Sequence, residues 1–200
     1  MRATSAWGAM RWAAPTRPLA SVEGLFDLKG YPSAHSDVVA QLVLAHQTRM
    51  TNLIVRTGWE ARLAEAEPSP EAATRVRDAA ADLVDYMLFV DEVPLTRPVR
   101  GTSGFTERFA APGPRDGQGR SLREFDLRRR LFKYPCSYMI YSEAFEALPA
   151  SAKDAVYARL QVVLSGRDKA PRYKVLSAAD RQAILEILRA TKKNLPPALL

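Results

Sequence analysis

Four stretches of this chain repeat apolar residues with the 3.6-residue helical period. Each is opened by serine or proline punctuation and closed by proline or glycine, which points to helices rather than sheet. The first is predicted from about Ser36 to Ala66, with Pro32 and Ser36 marking its start, Asp37 in its first turn and Pro68 as its stop. Ser69-Pro70-Glu71 opens the second, with Ser69 as N-cap and Pro70 at the first helical position. Val76, Ala80, Leu83, Val84, Met87 and Val90 then share one face, and the helix ends before Pro94. Ser151-Ala-Lys-Asp154 opens a third that ends at Ser165-Gly166, and Ser177-Ala-Ala-Asp180 a fourth, stopped by Pro196-Pro197.

Between these stand weaker signals. Ser121-Leu-Arg-Glu124 has capping-box spacing and predicts a short helix to about Phe132. A turn at Tyr134-Pro135 starts another, with a break at Ser142. Residues 94–120 read as a loop with at most a short turn at Thr106–Ala110. No alternating strand and no internal repeat is evident. The expected fold is all-α: an irregular bundle of six or seven helices with one long, ordered Arg/Gly-rich loop inserted. The 200 residues, 47% apolar, suit a single domain over 18–195, with 1–17 as a disordered or mis-started N-terminus and 196–200 as a tail.

Cys136 is the one cysteine, which excludes an internal disulfide, a cysteine-rich metal site and a covalently attached haem. It follows Pro135 in an apolar setting and reads as an inert buried thiol. No run of 18 apolar residues is present, so no membrane span is expected.

The charge is concentrated. Arg97 to Lys133 holds ten basic residues and four acids, hence +6 of the formal +7, together with five of the ten glycines. Long loops of this kind are usually functional or disordered. Arg100-Gly-Thr-Ser-Gly-Phe105 offers backbone N–H groups that could line an anion, although it matches neither a phosphate loop nor a nucleophile elbow. Arg100, Ser103, Arg108, Arg115 and Arg120 are therefore the candidate anion-binding residues. At least two of these arginines are expected to converge, on one anion or on acids of the second helix. The competing view has the loop pack across the bundle with its arginines paired to Asp82, Asp85 or Glu92.

His35 precedes the first helix, and His46 lies within it among Val39, Leu42, Val43, Met50 and Leu53, the apolar face. His46 and Met50, one turn apart, are a candidate buried-site pair. Both types ligate haem, but neighbours on one helix cannot reach opposite haem faces. The ordinary alternative is a hydrogen-bonded core histidine with methionine as packing. Asp78, Asp82 and Asp85 share a face but lack the E-x-x-H partner of a di-iron site, so no metal site is assigned. Tyr134, Tyr138 and Tyr141 fall at i, i+4, i+7, a core face or a stacking surface beside Arg128–Arg130. Tyr138 joins His46 and Met50 as a candidate buried-site residue. No catalytic residue and no cofactor is assigned.

His35-Ser-Asp-Val-Val, Leu44-Ala-His-Gln-Thr-Arg-Met-Thr-Asn52, Pro98-Val-Arg-Gly-Thr-Ser-Gly-Phe105, Gly113-Pro-Arg-Asp116, Gly119-Arg-Ser-Leu122 and Arg130-Leu-Phe-Lys-Tyr-Pro-Cys-Ser-Tyr138 together resemble the C-terminal region of a family of uncharacterised bacterial proteins. Its longer members are associated with export and with c-type cytochrome domains or neighbours. The resemblance covers roughly residues 18–195. It carries no assigned activity and hence no functional residue. It implies a missing N-terminal part, a false start over Met1–Thr16, a cytochrome partner and a periplasmic location; a complete chain would instead be cytoplasmic.

Three functions follow as expectations. The first is a non-enzymatic binding or accessory domain, its loop holding an anionic small molecule or an acidic protein surface through the planar arginine fork. The second is an enzyme with a site between the loop and His46. The third is nucleic-acid binding, favoured by a pI of 9.7 and disfavoured by interleaved acids and the lack of a helix-turn-helix pattern.

Overall fold

In the computed structural model the described residues are 21–25, 27–30 and 34–199. The chain divides into two units, 1–36 and 37–200. In the first, Val22 N–H donates to the Ala34 carbonyl at 2.9 Å. The stretch 1–17, expected to be disordered or mis-started, lies outside the described residues.

The second unit is all-α. Its helices are α1 (Val38–Ala66), α2 (Pro70–Met87), α3 (Phe105–Ala110), α4 (Glu143–Glu146), α5 (Ala150–Leu164) and α6 (Ala178–Thr191). Short 3₁₀ turns stand at Tyr138–Tyr141, Pro171–Val175 and Pro197–Leu199. Among the described residues the only extended pairing is an isolated bridge between Phe125 and Phe132. Among them, too, no helix is long and apolar enough to cross a membrane, and no group of three His, Cys, Asp or Glu could hold a metal ion.

α1 and α2 form a hairpin joined by three residues, and α5 packs on α2. Met50 and Ile54 of α1, Leu83 and Met87 of α2 and Leu160 of α5 are fully buried. Each such side chain contributes about 1.5–3 kcal/mol. Ser69 accepts from the Ala72 N–H at 3.0 Å with Pro70 behind it, as its type requires at an N-cap. The Ser177–Asp180 capping box closes in both directions on α6. α1 is apolar on two sides: Leu44, Val55, Leu63 and Trp59, the last 62% exposed, face away from the core.

The departures from expectation have local causes. α1 starts two residues late because Asp37 acts as the N-cap, its Oδ1 accepting from Val39 and Ala40. The helix predicted from Ser121 to Phe132 does not form. Glu124 does accept the Ser121 N–H at 2.8 Å, half of a capping box. But Asp126 then captures the Arg128 and Arg129 N–H groups, and its own N–H turns to the Leu131 carbonyl. A side chain that bonds its neighbours' backbone competes with the helix ladder, and the segment becomes a turned-back loop with Leu127 at φ 55°. The helix expected after Tyr134-Pro135 shrinks to the 3₁₀ turn at Tyr138–Tyr141, after which Ser142 caps α4. α2 ends at Met87 instead of running on through Val90. Residues 196–200, expected as a tail, include a 3₁₀ turn whose Leu199 is buried and accepts from Arg189 Nε at 2.8 Å.

Candidate functional site

The end of α2 builds the site. The Val90 N–H bonds the Asp85 carbonyl and the Phe89 N–H the Tyr86 carbonyl, both at 3.1 Å. This is a Schellman closure, whose left-handed position glycine normally fills. Here it is Phe89, at φ 55° and 8% exposed. A bulky residue there costs about 1–2 kcal/mol. The closure turns the Phe89 ring onto His46, with centroids 4.7 Å apart and planes 20° from parallel. Tyr86, one turn earlier, stacks on the same imidazole at 5.3 Å. Ranking glycine against alanine isolates the strain. Phe89→Ala should be less stable than Phe89→Gly by about 1 kcal/mol in urea denaturation, because only glycine relaxes at positive φ. The opposite order would mean that Phe89 is unstrained.

His46 is 4% exposed, and its Nε2 lies 2.7 Å from the Ser137 hydroxyl. Burial pulls its pKa down to about 4, so the ring is neutral at pH 7. Ser137 Oγ also accepts the Met139 N–H at 3.2 Å, which fixes the hydroxyl beside the ring.

Above these rings opens a cleft of about 480 Å³, within the range of small-molecule sites. Leu42, Phe89, Val90 and Leu131 give its apolar surface, with His46 and Tyr86 as the polar aromatic part. Charged groups line its walls. Asp82 pairs with Arg56 at 2.9 Å. Asp85 accepts from Tyr173 Oη and lies 3.1 Å from Arg172, which also holds Asp91. Burial and this carboxylate push the Tyr173 hydroxyl up to about 12. Arg49 lies over the Tyr86 ring, 5.9 Å from its centroid. Glu92 stands at the rim; although it reaches solvent, crowding by the protein pushes its carboxyl up to about 7, against the pull of Arg130.

The loop residues go elsewhere. Ser103 does meet an anion, but the anion is the chain's own Asp37. Asp37 Oδ2 accepts the Thr102 N–H at 2.9 Å, the Ser103 N–H at 3.0 Å and the Ser103 hydroxyl at 2.7 Å. A Cβ on Gly101 would stand 2.8 Å from that oxygen, so the close approach requires glycine. Arg108 donates to the Ser103 carbonyl, and Arg115 to the Gly119 and Ala110 carbonyls. Arg120 bridges Asp116 at 2.6 Å and Glu186 at 2.7 Å. Arg100 shares none of these partners. The arginines thus meet separate groups instead of converging, and none reaches Asp82, Asp85 or Glu92.

Aromatic rings pack between the loop and His46. Phe109 and Phe132 fill that space, with Tyr138 edge-on to Phe109 at 4.9 Å and Arg123 over the Phe109 ring at 4.0 Å. Tyr138 and Met50 are core residues, and burial pushes the Tyr138 hydroxyl up to about 12. Cys136 is fully buried, its thiol also pushed up to about 12. His46 is the one expected site residue that lines the cleft. Arg49, Tyr86, Phe89 and Arg172 were not anticipated, and Asp82, Asp85 and Glu92 were expected only as partners for the loop's arginines or as a charged helix face. The run from Tyr86 to Val90 continues the helical pattern, and nothing in it signals a closure at phenylalanine. No protein-family profile, curated protein or solved structure matches this chain.

Proposed function

We propose that this is a non-enzymatic, all-α binding domain that seats a small molecule in the α1–α2 cleft, with an anionic group of the ligand on Arg49. The observation that carries this reading is Arg49 itself. It stands at an apolar-floored concavity with no carboxylate in ion-pair range among the described residues. The basic loop residues Arg115, Arg120, Arg129, Arg130 and Lys133, by contrast, are each neutralised by a named acid. Guanidinium matches a carboxylate or phosphate through two parallel hydrogen bonds. The strained Phe89 supports the same place, since backbone strain of this kind collects at ligand sites. A binding role is favoured over a reacting one because the His46–Ser137 pair is buried and burial makes the imidazole a weak base. Within the exported, cytochrome-associated setting that the resemblance implies, the domain would be an accessory unit.

The test is a titration with 3-phenylpropionate followed by NMR. The His46 and Tyr86 ring signals should shift, and Arg49→Gln should weaken binding about tenfold, the worth of one charged hydrogen-bonding partner. Arg115→Gln should leave it unchanged. Shifts confined to residues 100–120, or loss of binding on changing Arg115 but not Arg49, would return the anion site to the loop.

A further inference from the structure

Six charged side chains line the cleft, and four of them are ion-paired: Asp82 with Arg56, and Asp85 and Asp91 with the single Arg172, a trio that keeps one net negative charge. The two left over are Arg49 and Glu92, of opposite sign. Among the described residues neither has an ion-pair partner; Arg130, the cation nearest in effect to Glu92, is bonded to Asp180 at 2.6 Å. Both act on one phenol. Beyond the effect of burial, Glu92 pushes the Tyr86 hydroxyl's ionisation up and Arg49 pulls it down. Both line the one cleft, and Arg49 stands over the Tyr86 ring.

That arrangement discriminates among ligands. An anion on Arg49 lies in the field of Glu92, and a cation on Glu92 in the field of Arg49. A ligand carrying both charges matches both, and like-charge juxtaposition works against the others. We propose, resting on the cleft reading above, that the ligand is a zwitterion of the amino-acid class. Its carboxylate sits on Arg49, its ammonium on Glu92, and its apolar side chain over Phe89, Val90 and Leu131.

The volume suits such a molecule: about 480 Å³ holds an aromatic amino acid with room for bridging water. The ring stack below gives a flat side chain an aromatic face to pack on. Glu92 adds a signature of its own. A carboxyl held high is partly protonated at pH 7, and an arriving ammonium must displace that proton.

The experiment compares L-phenylalanine, 3-phenylpropionate and 2-phenylethylamine by calorimetry in phosphate and in Tris at pH 7, with ring NMR signals as the site readout. L-Phenylalanine should bind about tenfold more tightly than either singly charged probe. Arg49→Gln should weaken L-phenylalanine and 3-phenylpropionate and strengthen the amine, which it frees from a like charge. Glu92→Gln should weaken L-phenylalanine and the amine and strengthen the acid for the same reason. The heat of amino-acid binding should differ between the two buffers for the unaltered chain, reporting proton release, and should not differ for Glu92→Gln. If 3-phenylpropionate binds best and Glu92→Gln does not weaken L-phenylalanine, the cleft is a plain anion seat: the zwitterion is wrong and the cleft reading stands. If the amine binds best and Arg49→Gln does not weaken L-phenylalanine, both the zwitterion and the anion on Arg49 are wrong. If none of the three moves the His46 and Tyr86 signals at millimolar concentration, the cleft reading itself falls.

Discussion

Replacing Asp37 by alanine should destabilise the domain by about 3–5 kcal/mol, more than the loss of an ordinary N-cap, which costs about 1. The excess comes from the second carboxylate oxygen. Oδ1 caps α1 through Val39 and Ala40, while Oδ2 gathers three donors from Thr102 and Ser103, sixty-five residues away. Asp37 is 6% exposed, so these donors lose a charged acceptor in a place water reaches poorly. Burial alone would push its carboxyl up, but the hydrogen bonds from the Ser103 hydroxyl and from the Ser103, Ala40 and Thr102 N–H groups outweigh it and hold the pKa near 2, below the ordinary 3.8. The unfolded chain therefore binds the proton first as pH falls. The stabilisation is complete above about 3.8, is lost as pH falls through about 2, and amounts to about 2 kcal/mol. Asparagine separates the two jobs. Its oxygen can still cap α1, while its amide points donors at donors. Asp37→Asn should keep the Val39 and Ala40 amides protected from hydrogen exchange and expose those of Thr102 and Ser103. Unchanged protection at Thr102 and Ser103 would mean that Asp37 is a helix cap and nothing more.

This contact also shows how far the sequence could be read. The Arg100–Phe105 stretch was recognisable as an anion cradle from its small residues, and its N–H groups do surround an anion. That the anion belongs to Asp37 is a matter of tertiary distance, which no local pattern encodes. The long helices were legible because α1, α2, α5 and α6 each bury a continuous apolar face and carry their own caps, at Asp37, Ser69, Gly166 and Ser177 in turn. Segments whose hydrogen bonds are local but not helical misled. Ser121–Glu124 has the residues of a capping box, yet Asp126 redirects the backbone two residues later. The cleft was legible only through His46. Arg49 looks like any exposed helix arginine until the Tyr86 ring is brought beneath it. Phe89 defeats prediction for a sharper reason: its conformation is disfavoured for its residue type, so every propensity argues against what the fold imposes.

Lowering the pH from 7 to 4 should remove about 3 kcal/mol of stability through His46 alone. The folded ring titrates near 4, the unfolded one near 6.5. Above pH 6.5 both states are neutral at this position and the histidine adds no pH dependence. Between 6.5 and 4 the unfolded chain takes up a proton that the buried ring refuses, so stability falls as pH falls. Below about 4 both states are protonated and the loss levels off. The cause is desolvation, since the imidazole lies between Tyr86 and Phe89 and no carboxylate is hydrogen-bonded to it. Carboxylates titrate at the lower end of this window, so the measurement is a difference. The gap in unfolding free energy between the unaltered chain and His46→Gln should shrink by about 3 kcal/mol from pH 7 to pH 4, with most of the change above pH 4.5, while NMR places the folded His46 pKa near 4. A gap that stays constant, with His46 titrating at an ordinary 6.5, would mean that the ring is solvated in solution. The floor of the proposed cleft would then be open, and Phe89 would have nothing to justify its strain.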